Sequence, residues 1–236
     1  LGSVTYICSD KTGTLTLNKM TVEEIYVDRK IVVVDPRVYP VEKGEHMDAP
    51  LQALFTALAL SNDAVLDKDG KLMGDPTETA LFDIADKNGF NKQALEKELP
   101  RVAEIPFDSD RKCMTTLHKW KVESGKGEVK GEGLLPATSY LSFTKGAIEV
   151  LIDKADNILT SDGLKAIDKD EIHRVSERMA ADGLRVLCIA MRNWDHLPED
   201  MSAQNVENGL TILGLTGMMD PPREEAKDAV SVCKSA

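Results

Sequence analysis

Five β-favouring residues, Val4-Thr5-Tyr6-Ile7-Cys8, run without a break into Ser9-Asp10-Lys11-Thr12-Gly13-Thr14, and this junction limits the fold more than any other stretch. The run reads as a buried strand, and the hexapeptide with its glycine as the turn that ends it. A carboxylate in such a turn stands at the carboxyl end of a strand, where open α/β sheets collect their ligands. Asp10 is therefore the first candidate functional residue.

The rest of the chain alternates strand and helix signals. Thr21 to Val34 reads as two strands joined at Asp28-Arg29-Lys30. Leu51, Leu54, Phe55, Leu58 and Ala59 recur at helical spacing after Asp48 and Pro50. Asp75-Pro76-Thr77-Glu78 opens another helix, with Asp75 as cap, Glu78 three residues on and Gly89 as its end. Lys121 to Ala137, rich in Gly, Lys and Glu, reads as a mobile hairpin loop without assigned function. Tyr140 to Thr144 reads as a strand, Lys145-Gly146-Ala147 as a junction, and Ile148, Leu151 and Ile152 as the helix after it. A longer helix is expected from Lys169 to Asp182, capped by Asp168 with Glu171 and stopped by Gly183. Strands follow at Leu184 to Met191 and Leu210 to Met218, then a last helix from Arg223 to about Ser235.

With 40 acidic and 29 basic residues the formal charge is −11, and no basic run breaks it up. A nucleic-acid partner is thereby disfavoured. Any polyanion must be met by a few placed cations. The four cysteines, Cys8, Cys113, Cys188 and Cys233, have neither zinc-site spacing nor the density of a disulfide scaffold, so reduced thiols are expected. No stretch reaches the roughly 20 apolar residues of a membrane span. The chain starts on a strand and stops within a helical pattern, which is expected of a segment cut from a longer protein.

A phosphoryl acceptor must be an ionised nucleophile held at a strand end amid neutralising charge. Asp10 meets these demands, with Lys11 beside it and Thr12 and Thr14 offering amides and hydroxyls; the bland alternative is a capping aspartate in a turn. Cys8-Ser9-Asp10-Lys11-Thr12-Gly13-Thr14-Leu15-Thr16 resembles the phosphorylation signature of P-type ATPases. The resemblance implies that Asp10 takes the γ-phosphate of ATP during each transport cycle, with Asp10 and Thr12 serving Mg²⁺. Haloacid-dehalogenase-like phosphatases share that fold and usually carry an acid–base aspartate two residues after the nucleophile. Thr12 occupies that position here, so an aspartyl phosphate should persist.

Five further segments resemble the family in the same order. Gly74-Asp75-Pro76-Thr77-Glu78-Thr79-Ala80-Leu81 implies that Thr77 and Glu78 meet the nucleotide, Glu78 at the adenine amino group; a capping box would explain Glu78 equally. Pro106-Phe107-Asp108-Ser109-Asp110-Arg111-Lys112-Cys113-Met114 is similar to the adenine-stacking segment. It implies a nucleotide site with Phe107 against the base, Lys112 beside it and Met114 close by, and the run of charges suggests a wet surface. Ser109 stands where some members carry arginine. Thr144-Lys145-Gly146-Ala147 implies that Lys145 lies deep in the cleft and that Gly146 lets the backbone approach the ligand, although a solvated lysine is the plain alternative. Leu184-Arg185-Val186-Leu187 implies a phosphate contact from Arg185, against a simple ion pair. Asp220-Pro221-Pro222-Arg223 resembles the hinge between two domains, with Asp220 and Arg223 near the interface or the phosphate; a helix cap accounts for the same residues.

The expected fold class is α/β. An antiparallel sheet flanked by helices, the nucleotide-binding domain, would be inserted into a partial Rossmann-like, haloacid-dehalogenase-type phosphorylation domain. Residues 1–20 and 216–236 would belong to the latter and 21–215 to the former. Neither Thr-Gly-Asp nor a Gly-Asp-Gly followed by Asn-Asp, the family's later motifs, occurs in the 236 residues. The resemblance implies ATP and Mg²⁺ as cofactors. Its implied partners are the remaining phosphorylation, actuator and transmembrane domains and a transported cation, calcium first. The implied location is the cytoplasmic face of an integral membrane protein. A soluble phosphatase and a non-catalytic nucleotide-binding module are the rival readings.

Overall fold

The computed structural model describes residues 10–34, 47–120 and 140–235, with the side chains of Lys11 and Thr12 excepted. The strand read at Val4–Cys8 and the loop read at Lys121–Ala137 lie outside them.

After a π-helical turn at Lys11–Leu15, the described residues form β1 (Thr21–Val27), β2 (Lys30–Val33), α1 (Ala49–Leu60), β3 (Val65–Leu66), β4 (Leu72–Met73), α2 (Pro76–Lys87) and α3 (Lys92–Glu98). The hairpin β5 (Arg101–Asp108) and β6 (Cys113–Lys119) comes next, then β7 (Tyr140–Gly146), α4 (Ile148–Asp153), β8 (Ala155–Thr160), β9 (Gly163–Ala166) and α5 (Lys169–Ala181). The last elements are β10 (Arg185–Trp194), α6 (Ala203–Val206), β11 (Leu210–Met219) and α7 (Glu224–Ser235).

Nine strands make one sheet in the order β2-β1-β11-β10-β7-β6-β5. All pairs on this path are antiparallel. β8 runs parallel to the start of β11 and carries β9. Both faces are covered. Leu54, Phe55 and Leu58 of α1 and Leu81 and Ile84 of α2 pack with Ile25, Phe143, Ile189 and Leu213 on one face. Leu151 and Ile152 of α4 and Ile172 and Met179 of α5 pack with Tyr26, Cys188, Ala190 and Leu215 on the other. Successive strand residues such as Ile25 and Tyr26 thus enter opposite cores, as the two-residue repeat of a strand requires. That is why β10 and β11 are nearly continuously apolar in sequence.

The helices start as their caps predict. Asp48 accepts from the Leu51 amide, Asp75 from Thr77 and Asp168 from Glu171. Gly183 takes a left-handed conformation, φ 81°, just past α5. One junction differs from expectation. Lys145 and Gly146 are strand residues, because Lys145 pairs with Met114 on one side and Ile189 on the other. The hairpin at 101–119 and the helix α3 were not evident from the sequence. Cys113, Cys188 and Cys233 form no disulfide, and no described helix is long and apolar enough to cross a membrane.

Candidate functional site

Lys145 is the centre of the arrangement. Antiparallel pairing puts Met114, Lys145 and Ile189 side by side on the face covered by α1 and α2. Lys145 is only 7% exposed and Met114 is buried beside it. The Lys145 ammonium donates to Glu78 Oε1 at 2.6 Å. Burial pulls its pKa below the usual lysine value, and the Glu78 carboxylate opposes that pull.

Glu78 stands in the first turn of α2 but does not serve as a capping-box acid. Its Oε2 accepts from the Asp63 amide at 3.1 Å, and its Oε1 meets Lys145. A buried charge pair at a sheet–helix seam is costly to build unless each partner is matched. The plain alternatives, a capping acid for Glu78 and a solvated lysine for Lys145, are both excluded by these contacts.

Next to Glu78, Thr77 Oγ1 accepts from the Arg185 guanidinium at 3.2 Å. Among the described residues no carboxylate pairs with Arg185, so the simple ion pair is not formed. Thr77 and Arg185 share a cavity of about 320 Å³ with Asp75, Met20, Met218 and Asp220. A hydroxyl, a guanidinium and the amino end of α2 therefore converge as donors on one open volume, which the Asp75 and Asp220 carboxylates line as well.

Asp220 and Arg223 have a second task. Thr16 Oγ1 donates to Asp220 Oδ2 at 2.6 Å and the Lys19 amide to Oδ1 at 3.2 Å. Arg223 donates to the carbonyls of Thr16 and Gly13. With the Thr16–Pro222 bridge, these bonds lace together the two chain segments that enter and leave the sheet. Asp220 still borders the cavity; Arg223 faces the lacing. Asp10 is exposed on the same entering segment.

Phe107 lies near the end of β5 and Lys112 in the turn to β6. Phe107 is 64% exposed, and Lys112 is exposed with φ 52°. The expectation of a wholly wet turn is corrected by Arg111, which pairs with the fully buried Glu207. Gly146, on β7, also answers a packing demand. A β-carbon there would lie 2.5 Å from both Lys112 O and Cys113 Cβ, so its glycine is demanded by the neighbouring strand.

Sequence reasoning missed Asp63, Arg101, Lys154 and Glu207. Asn62-Asp63 after an apolar helix was a usable signal for the first. Glu207, within Val206-Glu207-Asn208-Gly209, reads as an ordinary turn and gave none.

The family model for the P-type ATPase, cytoplasmic domain N, matches residues 50–225. The chain belongs to the P-type ATPases. The calcium-transporting ATPase 1 of Bacillus cereus is 37% identical over 240 residues, and the cation-transporting ATPase pma1 of Synechocystis is 38% identical over 255. The calcium-transporting ATPase of Bacillus subtilis is 36% identical over 254. Each match covers 100% of this chain but only 24% or 26% of the relative, so the chain spans about a quarter of the curated relatives it matches. The family match takes in the large antiparallel sheet from β5 onward and both helix layers, so this architecture is a domain N with its flanks.

Proposed function

We propose that this chain is the ATP-binding portion of a membrane-embedded cation pump in which ATP hydrolysis, through an aspartyl phosphate at Asp10, drives transport. Calcium is the cation we favour, because the Bacillus relatives are named calcium-transporting ATPases. Residues 21–215 form the nucleotide-binding unit in this reading, and the end of β11, to Met219, stays paired in its sheet. Residues 1–20 and 216–236 belong to a haloacid-dehalogenase-type phosphorylation domain, completed with actuator and transmembrane parts elsewhere in the protein, and the whole faces the cytoplasm. The observation that carries the reading is the buried Lys145–Glu78 pair beside the Thr77–Arg185 cavity. In it, Phe107 and Lys112 hold the base, Glu78 accepts from its amino group with Lys145 beside it, and Arg185 meets the phosphates.

The donor set fits ATP. It does not by itself fit Mg²⁺, since the described residues contain no group of three His, Cys, Asp or Glu side chains able to hold a metal. Asp10 and Thr12 would have to share the ion with ATP and with side chains outside this set.

Phe107→Ala tests the base contact cleanly. A side chain this exposed contributes little to folding, so stability should stay within about 0.5 kcal/mol. ATP affinity should fall by about 1–3 kcal/mol, the loss of one stacked aromatic. Calorimetry that gives equal affinities would remove Phe107 from the site.

The 236-residue chain should also fail to trap phosphate on Asp10. In-line transfer needs Mg²⁺ on more than one carboxylate and cations over the developing charge, and Lys11 is the neighbouring cation of the signature. Incubation with γ-labelled ATP and Mg²⁺, quenched in acid, is expected to leave the protein unlabelled. Hydroxylamine-sensitive label absent from Asp10→Asn would show the chain sufficient for transfer.

A further inference from the structure

The Glu78 carboxylate is oriented from behind by a segment with no motif. Ser61–Ala64 follows α1, and Ser61, Asn62 and Ala64 are fully buried. Two cations grip it. Lys92 Nζ donates to the carbonyls of Asn62 and Ala64 at 2.7 and 3.0 Å. Arg101, at the start of the edge strand β5, donates through Nη2 to the carbonyls of Leu60 and Asn62 at 3.0 and 2.7 Å. Its Nη1 reaches Asp63 Oδ1 at 2.7 Å and Glu104 Oε2 at 2.9 Å. The amide of that same Asp63 donates to Glu78 Oε2. Gly74, just ahead of α2, packs against this segment so closely that a β-carbon would lie 3.1 Å from Ala64 Cα.

We infer that Arg101 is a positioning residue for nucleotide recognition: by bonding the Asp63 carboxylate and the carbonyls of Leu60 and Asn62 just before it, it aims the Asp63 amide at Glu78 and leaves the other Glu78 oxygen for Lys145 and the incoming base. Arg101 makes no bond to Glu78 or Lys145, so its effect passes through the Asp63 backbone. A planar guanidinium is required. Its two terminal nitrogens meet two carbonyls and two carboxylates at once, which a single ammonium cannot span. Asp63 and Glu104 are both partly open to water, so the pairs themselves add little stability. Their value lies in orientation.

The inference rests on the reading of Glu78 as acceptor for the adenine amino group, and two readouts keep the two apart. The first is affinity for ATP against inosine triphosphate, which carries an oxygen where adenine carries its amino group. The wild-type chain should favour ATP by about tenfold, as one hydrogen bond to a charged group allows. Arg101→Gln should reduce the preference to about twofold while affinity for inosine triphosphate stays within about twofold. Asp63→Asn, an exposed and conservative change that does not threaten the fold, should fall between. A general loosening of the fold would weaken both nucleotides alike. The second readout needs no ligand. Hydrogen exchange at the Asp63 amide should quicken at least tenfold in Arg101→Gln and measurably in Asp63→Asn, with β10 and β11 amides unchanged. An Asp63 amide that exchanges at the wild-type rate in both variants overturns the role of Arg101, whatever the nucleotides do. Equal binding of the two nucleotides by the wild-type chain and by Glu78→Ala would instead sink the adenine reading, and the exchange rates would still decide for or against Arg101.

Discussion

Glu207→Gln is expected to lower the stability of the folded chain by about 3 kcal/mol, seen as a reduced urea midpoint with an unchanged slope. Glu207 has 0% exposure. It accepts from Lys154 Nζ at 3.0 Å, from Thr115 Oγ1 at 3.3 Å, from Cys113 Sγ at 3.4 Å and from Arg111. Glutamine keeps the shape but removes the charge that the two cations share. Each cation is about a quarter exposed and can regain some water, which places the loss at the low end of the roughly 3–5 kcal/mol for a broken buried pair. Glu207→Ala should cost more, because it adds a void. The pH dependence has a definite sign. Burial pushes the Glu207 carboxyl up, but Lys154 and Arg111 outweigh it, and the net pKa lies below the ordinary glutamate value. The stability it contributes is present above the unfolded value, about 4.3, and is lost as pH falls through the lower folded value. The wild type should show this loss on acid titration and Glu207→Gln should not. Unchanged midpoints at pH 7 would mean that the cluster holds nothing together.

Gly146→Ala should destabilise the chain by about 3 kcal/mol or more, at the upper end of overpacking costs. The new methyl would collide with Lys112 O and Cys113 Cβ at 2.5 Å and Cys113 Cα at 2.8 Å. Two of these atoms are backbone in the next strand, and the Ala147 amide is bonded to Lys112 O at 3.0 Å, so nothing nearby can swing aside. β6 and β7 would have to separate. Thermal or urea unfolding measures the cost directly. A stable Gly146→Ala that had lost ATP affinity would restore the ligand-approach role and refute the packing account.

Much of the secondary structure was legible because it obeys local rules. Caps at Asp48, Asp75 and Asp168 and the two-residue turn at Asp28-Arg29 formed where short-range hydrogen bonding favours them. The same rules misled where a side chain had two offers. Glu78 and Glu171 each sit three residues after a cap, yet Glu78 turns to Lys145 and Glu171 to Tyr26 and Arg29. A capping bond at a helix end competes with water and is worth about 1 kcal/mol; a bond to a charged or buried partner is worth more. Arg111 was read as one of a solvated run for a similar reason, since nothing near it in sequence announces a buried acid 96 residues later.

Family membership and the alternation of strands and helices are legible in residue order alone. The same order marks Asp10, Thr77, Glu78, Phe107, Lys112, Met114, Lys145, Gly146, Arg185, Asp220 and Arg223 as candidate site residues. Those signals are local, carried by period, caps and short motifs. Long-range folding is what buries Lys145 against Glu78, sets Arg101 and Asp63 behind that pair, packs Gly146 on its neighbouring strand, and makes Asp220 and Arg223 lace the entering and leaving segments. Each of those contacts joins residues tens to hundreds of positions apart, and the buried one between Lys145 and Glu78 draws its strength from desolvation, which no residue possesses until the fold has removed the water around it.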